Sequence, residues 1–147
     1  AGNAARYAPY VQAFTALGAT VTLIAPPTLL PPSLVGWPVA VSHDLDNVLP
    51  SLDVVALLRV QQERMDEALI PSLTEYVNGY GITAARASAI RDDALIIHPG
   101  PVLRGIEITA DALDQHPGAL VTRQVTNGVA IRMAVLFWLL GSGVDIT

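Results

Sequence analysis

The stretch "SLDVVALLRVQQERMDE", Ser51–Glu67, decides how the chain is read. Val54–Leu58 is a short apolar run of the kind that forms a buried strand in a parallel sheet. Such a strand ordinarily ends in turn residues such as Gly, Asn or Pro. Here it runs into Arg59-Val60-Gln61 instead. A guanidinium is always charged, so one at the mouth of an apolar strand calls for an anionic partner.

Working outward, Thr20–Ala25, Val39–Ser42 and Leu95–Ile97 have the same apolar character and complete a set of four strands. Helical patterns alternate with them. Val11, Phe14 and Leu17 mark a helix over Tyr10–Leu17 with Gly18 as its C-cap, and Asp44 opens a short turn of helix at Leu45–Leu49. Leu73–Tyr80 reads as a helix, a second starts at Thr83 as N-cap, and Thr109–Ala112 begins a third. "AGNAARYAPY", the proline-rich Pro26–Pro32 and Asn127-Gly128 read as loops or turns. Val129–Leu140 is a helix apolar nearly all round, stopped by Gly141, which must lie between layers or against another domain.

Strand-helix alternation defines an α/β fold with a doubly wound, Rossmann-like parallel sheet. Such a sheet begins with its central strand and winds outward from it. The first residues here look like the loop after that strand, so the expected order 3-2-1-4-5 has its gap in the middle. A chain opening at Ala1 is therefore expected to be a fragment, poorly stable alone.

With 147 residues, 52% hydrophobic and 14% charged, the chain fits one domain with a real core. Net charge is −5 without a basic patch, which argues against nucleic acid. The longest apolar run, Met133–Leu140, falls short of the roughly 20 residues that span a bilayer, and no leader-like segment suggests export. Cysteine is absent, and all 8 basic residues are arginine, so thiol and lysine chemistry are excluded from this chain. His43, His98 and His116 lack ligand spacing, so no metal site is expected.

Ligands of open α/β sheets bind beyond the carboxyl ends of the strands, where winding reverses. Three segments meet that condition: the opening loop with Arg6, the exit of the third strand with Arg59 and Gln61, and "HPGPVLRG", His98–Gly105. Arg59 offers a planar fork of donors that matches a carboxylate or phosphate, and Gln61 leaves an extended chain on the same side. Equally, Arg59 could pair with Asp46 or Glu63. Pro99, Gly100 and Pro101 make a stiff turn whose carbonyls lack local donors and could hold an amino group, or the turn could simply end a strand. His98 reads as a core histidine, Arg104 and Glu107 as a local pair, Arg132 as half of a buried salt bridge, and Trp37 and Trp138 as packing residues.

"LGATVTLIAPPTLLP" (Leu17–Pro31), "LRVQQERM" (Leu58–Met65), "EYVNGYGIT" (Glu75–Thr83), "HPGPVLRGIEI" (His98–Ile108) and "QVTNGVAIRMAVL" (Gln124–Leu136) resemble, in order, the carboxyl-terminal, aspartate-binding half of bacterial aspartate carbamoyltransferases. The ornithine enzymes share the architecture, but their counterpart of the "HPGP" loop usually carries a cysteine. The resemblance implies cytoplasmic carbamoyl transfer from carbamoyl phosphate to L-aspartate in pyrimidine biosynthesis, with no cofactor. It implies that Arg59 and Gln61 bind aspartate, that Pro99, Gly100 and Pro101 contact the carbamoyl group, and that Arg59–Thr83 is a mobile loop closing over substrate. Arg6 is the nearest candidate for the family's first-loop arginine, one residue out of register. The implied partners are an amino-terminal carbamoyl-phosphate domain and two further copies in a homotrimer. The competing expectation is a non-catalytic binding or scaffold module that keeps the fold.

Overall fold

Element order alternates as expected in the computed structural model, which describes residues 4–60 and 72–141. Helix α1 (Ala4–Ala16) leads through Gly18 into β1 (Val21–Ile24), followed by β2 (Val39–Ser42), α2 (Leu45–Val48) and β3 (Val54–Ala56). Then come α3 (Leu73–Tyr80), α4 (Ala84–Ala87), β4 (Leu95–Ile97), α5 (Ala110–Gln115) and α6 (Val121–Gly141).

Local chemistry explains most boundaries. Four helices start at a side-chain cap: Asp44 Oδ1 accepts from Asn47 N at 3.0 Å, Ser72 Oγ from Glu75 N at 3.1 Å, Thr83 Oγ1 from Arg86 N at 3.3 Å, and Thr109 Oγ1 from Ala112 N at 3.3 Å. The end of α3 is closed by Arg86, whose guanidinium donates to the carbonyls of Gly81 and Asn78, both at 2.8 Å. The same guanidinium makes a two-point pair with Asp46 at 2.6 and 3.0 Å, and this holds the Asp46 carboxyl below its ordinary range. Asp46 is therefore spoken for by Arg86, and the suggested Arg59–Asp46 pair is set aside.

Two expectations about helices are corrected. The opening residues are not a loop: α1 begins at Ala4 and runs through Pro9, so the backbone of Arg6 is helical. Ala4, Ala5 and Ala8 favour helix, and Tyr7, Tyr10, Val11 and Phe14 form the i, i+3, i+4, i+7 stripe that faces inward, while Leu17 stays 85% exposed. Likewise Asn127-Gly128 is no turn. It lies inside α6, which starts eight residues earlier than expected, at Val121.

The strands form two parallel pairs, β1 with β2 (Val21↔Val39 to Ile24↔Ser42) and β3 with β4 (Val54↔Leu95 to Ala56↔Ile97). Beyond β4, Gly118–Leu120 adds one more hydrogen-bonded rung, with Ile96 N to Gly118 O at 2.8 Å and Leu120 N to Ile96 O at 2.9 Å. The remaining edges of β1 and β3 both line a single cavity of about 690 Å³, closed on one side by the tyrosine stripe of α1. That is where the expected order places its gap. It also explains why β3 is not buried on both faces as predicted: Val55 is buried, but Val54 is 40% exposed.

The core lies on the β3–β4 side, around Leu49, Val55, Ile82, Ile90, Ile96 and Ile108. Outside it, α6 buries only Val121 among the described residues and leaves Phe137 78%, Trp138 68% and Leu140 81% exposed. Trp138, read as a packing residue, is thus largely exposed. Arg132 is exposed, and among the described residues it forms no salt bridge. The helix is long and apolar enough to cross a membrane by length and composition, contrary to the reading of its apolar run alone. Its body nevertheless carries Arg123, Asn127 and Arg132, and its first turns dock on β4.

Gly118 tests the extra rung. A Cβ there would sit 1.8 Å from the Ala94 carbonyl oxygen, whereas one at Gly79 would meet nothing within 4 Å. In urea unfolding, Gly118→Ala should therefore destabilise by about 2 kcal/mol or more, while Gly79→Ala, inside α3, should be neutral or stabilising by up to about 1 kcal/mol.

Candidate substrate-binding rim

Parallel pairing sends adjacent strands out on the same side. The β3–β4 ladder continues to Leu57 N, which donates to Ile97 O at 2.9 Å. Arg59-Val60 and His98-Pro99-Gly100-Pro101 therefore leave the sheet on one rim. Arg59 is half-buried and lines the cavity together with Tyr7, Tyr76, Tyr80 and Glu107. Pro99 and Pro101 are exposed and Gly100 half-buried, and none of the three lines the cavity. Gln61 falls outside the described residues, and so do residues 61–71 of the expected mobile loop, whose described remainder includes α3 and the buried Ile82. Of Arg6, the helical backbone alone is described.

The turn after β4 is held by two hydrogen bonds. His98 N donates to Gln124 Oε1 of α6 at 2.9 Å, and Gly100 N donates to His98 Nδ1 at 2.8 Å. Gly100 has a φ of +72°, which a side chain would strain although the nearest atom, Val125 Cγ2, would leave room at 3.7 Å. The same device recurs at His116-Pro117-Gly118, where Gly118 N donates to His116 Nδ1 at 3.0 Å. In both, a buried imidazole accepts the N–H two residues on. The repeated "HPG" was visible in the sequence; one copy follows β4 and the other leads into the rung beside it.

Burial pushes the His98 imidazole below its ordinary range; the Glu107 carboxylate opposes this and the Arg59 guanidinium adds to it. His98 Nδ1 must stay unprotonated to accept from Gly100. Glu107 itself overturns the local reading. It does not pair with Arg104, which reaches Asp114 at 3.7 Å. It is 1% exposed and accepts from Val60 N through Oε1 and from Leu103 N through Oε2, both at 2.7 Å. No local pattern could have indicated the first of these contacts, because it spans 47 positions.

With the geometry established, comparison with known proteins defines the class. The family described as aspartate/ornithine carbamoyltransferase, Asp/Orn binding domain, matches residues 9–139, and the chain belongs to it. Among its relatives, the aspartate carbamoyltransferase catalytic subunit of Thermobifida fusca is 54% identical over 134 residues, covering 91% of this chain and 42% of that protein. The subunit of the same name from Acidothermus cellulolyticus is 54% identical over 127 residues, covering 86% and 39%. This chain thus spans about two-fifths of the length of these relatives. Among solved structures, aspartate transcarbamoylase from Trypanosoma cruzi in complex with N-(phosphonacetyl)-L-aspartic acid superposes with a TM-score of 0.65 at 30% identity, covering 80% of this chain and 39% of that one. The anabolic ornithine carbamoyltransferase of Campylobacter jejuni reaches 0.70 at 20% identity over 88% and 46%, which shows the shared fold.

The His98 environment has a pH signature. A folded pKa below the unfolded value of about 6.5 means that the unfolded chain takes up the proton first. Stability should be fully present above pH 6.5 and fall as pH drops below it. His98→Asn, which supplies a carbonyl acceptor to Gly100 without titrating, should flatten that fall in urea midpoints measured from pH 7.5 to 5. An equally steep fall in the variant would contradict the role given to His98.

Proposed function

We propose that this domain binds L-aspartate for attack of its amine on carbamoyl phosphate, giving N-carbamoyl-L-aspartate and phosphate in pyrimidine biosynthesis. The observation that supports this reading is the parallel pairing of β3 and β4, from which Arg59 and the Pro99–Pro101 turn leave the sheet on one rim. A guanidinium fork suits a carboxylate of the incoming amino acid. It also separates the two substrates of the family, because ornithine presents a cation where aspartate presents an anion. Relatives above 50% identity are named aspartate carbamoyltransferase catalytic subunits, in keeping with that choice.

The reaction asks little acid-base chemistry of the protein. The aspartate amine attacks the carbamoyl carbon, the C–O bond to phosphate breaks, and the departing phosphate takes the amine proton. What the rim supplies is orientation and fixed charge. Arg59 holds a carboxylate with Gln61 beside it, while the carbonyls of Pro99, Gly100 and Pro101 face the carbamoyl amino group. Arg6, in the first turns of α1, supplies a second cation to aspartate.

Carbamoyl phosphate is held in this proposal by an amino-terminal domain of the same polypeptide, and complete subunits assemble as a cytoplasmic homotrimer. Two features of this chain support further polypeptide against it: the open edges of β1 and β3 over one cavity, and the exposed apolar length of α6. Both carry groups that gain by being covered.

In the complete subunit, Arg59→Ala should raise the KM for aspartate at least thirtyfold, corresponding to about 2–5 kcal/mol for a carboxylate left without its charged partner. Arg59→Lys should recover part of the loss but not the two-point geometry. Steady-state kinetics at saturating carbamoyl phosphate measure both; unchanged kinetics would remove Arg59 from the site. A complete wild-type subunit without transfer activity would favour a binding or scaffold module.

A further inference from the structure

We infer that Glu107 is a positioning residue, whose buried carboxylate ties the Arg59 exit to the loop after β4 and so sets the spacing of the two halves of the rim. This rests on the aspartate-binding role of Arg59.

Three backbone N–H groups, two of them from the ends of a distant segment, converge on this one residue. Its Oε1 accepts from Val60 N, the residue after Arg59, and its Oε2 accepts from Leu103 N, two residues after Pro101. Its own carbonyl accepts from Ile82 N at 2.9 Å, while Ile82 O accepts from Thr109 N at 2.9 Å. Residues 60 and 82 are the two ends of the long excursion between β3 and α4, so one residue fastens both ends and joins them to the turn after β4.

The anchor is itself immobilised. Leu103–Ile108 is a tight turn, with Ile106 N donating to Leu103 O at 3.1 Å and Gly105 N to Ile108 O at 2.9 Å, and Gly105 has a φ of +85°. Gly81 packs so closely on this turn that a Cβ there would stand 2.8 Å from Ile106 O. A carboxylate is the side chain that can accept at both ends with no donor of its own. An amide of the same size would keep one bond and turn its NH2 against the other backbone N–H.

The test is a double-mutant cycle in the complete subunit. Glu107→Gln alone should raise the aspartate KM roughly tenfold, as expected for losing one charge-assisted hydrogen bond. In an Arg59→Ala background the same change should add less than about twofold, because its effect passes through Arg59. Full, additive effects in that background would overturn the inference and leave Glu107 as a purely structural group. Hydrogen exchange on the wild type supplies a check independent of any variant's folding. The Val60 and Leu103 amides should exchange as slowly as Ile96 in the core, and exchange at loop rates would overturn the clamp. A wild type that fails to transfer carbamoyl to aspartate, with those two amides protected, would overturn the substrate reading and the positioning role together.

Discussion

The parallel register of β3 on β4, Val55 opposite Ile96, is the constraint on which the rest depends. Parallel neighbours must leave a sheet on the same side, so the charge after one strand and the proline-flanked glycine after the other share a rim. An antiparallel pairing of the same sequences would have put them at opposite ends. The register is secured from within by Val55, Ile82, Ile96 and Ile108, of which the last three are fully buried. From beyond β4 it is secured by the rung at Gly118–Leu120. Loops leaving such a frame hold their residues to hydrogen-bond precision, which orientation catalysis requires.

Much of this frame was legible in the sequence because local signals agreed. β2, β4 and α3 fall on the predicted spans, and Asp44, Thr83 and Thr109 cap the helices they were expected to open. The parallel α/β arrangement was legible too, from the alternation of apolar strand runs with helical patterns. Among the described residues the strands form two parallel pairs that line one cavity.

The misreadings came where local and tertiary signals part. Gly, Asn and Pro in the opening residues suggested a loop, but the alanines and the tyrosine stripe outweighed them. Asn127-Gly128 looked like a turn, yet the backbone ladder of α6 runs through it from Gln124 N to Leu120 O at 2.7 Å. Glu107, three positions after Arg104, invited a surface pair; its true partners are the backbone amides of Val60, from another segment, and of Leu103, in its own turn. Arg132 was assigned a buried partner, yet it is exposed and forms no salt bridge among the described residues, since a charge within an apolar helix does not say what covers it.

The account turns on whether the guanidinium after β3 receives the substrate's carboxylate. The most direct measurement is NMR of selectively labelled arginine side chains in the complete subunit, saturated with carbamoyl phosphate and titrated with succinate, the dicarboxylate without the attacking amine. The Arg59 Nε–H resonance should shift in step with saturation and its exchange with water should slow, and the Gly100 amide should move with it. Saturable succinate binding that leaves the Arg59 resonance unmoved would contradict the account.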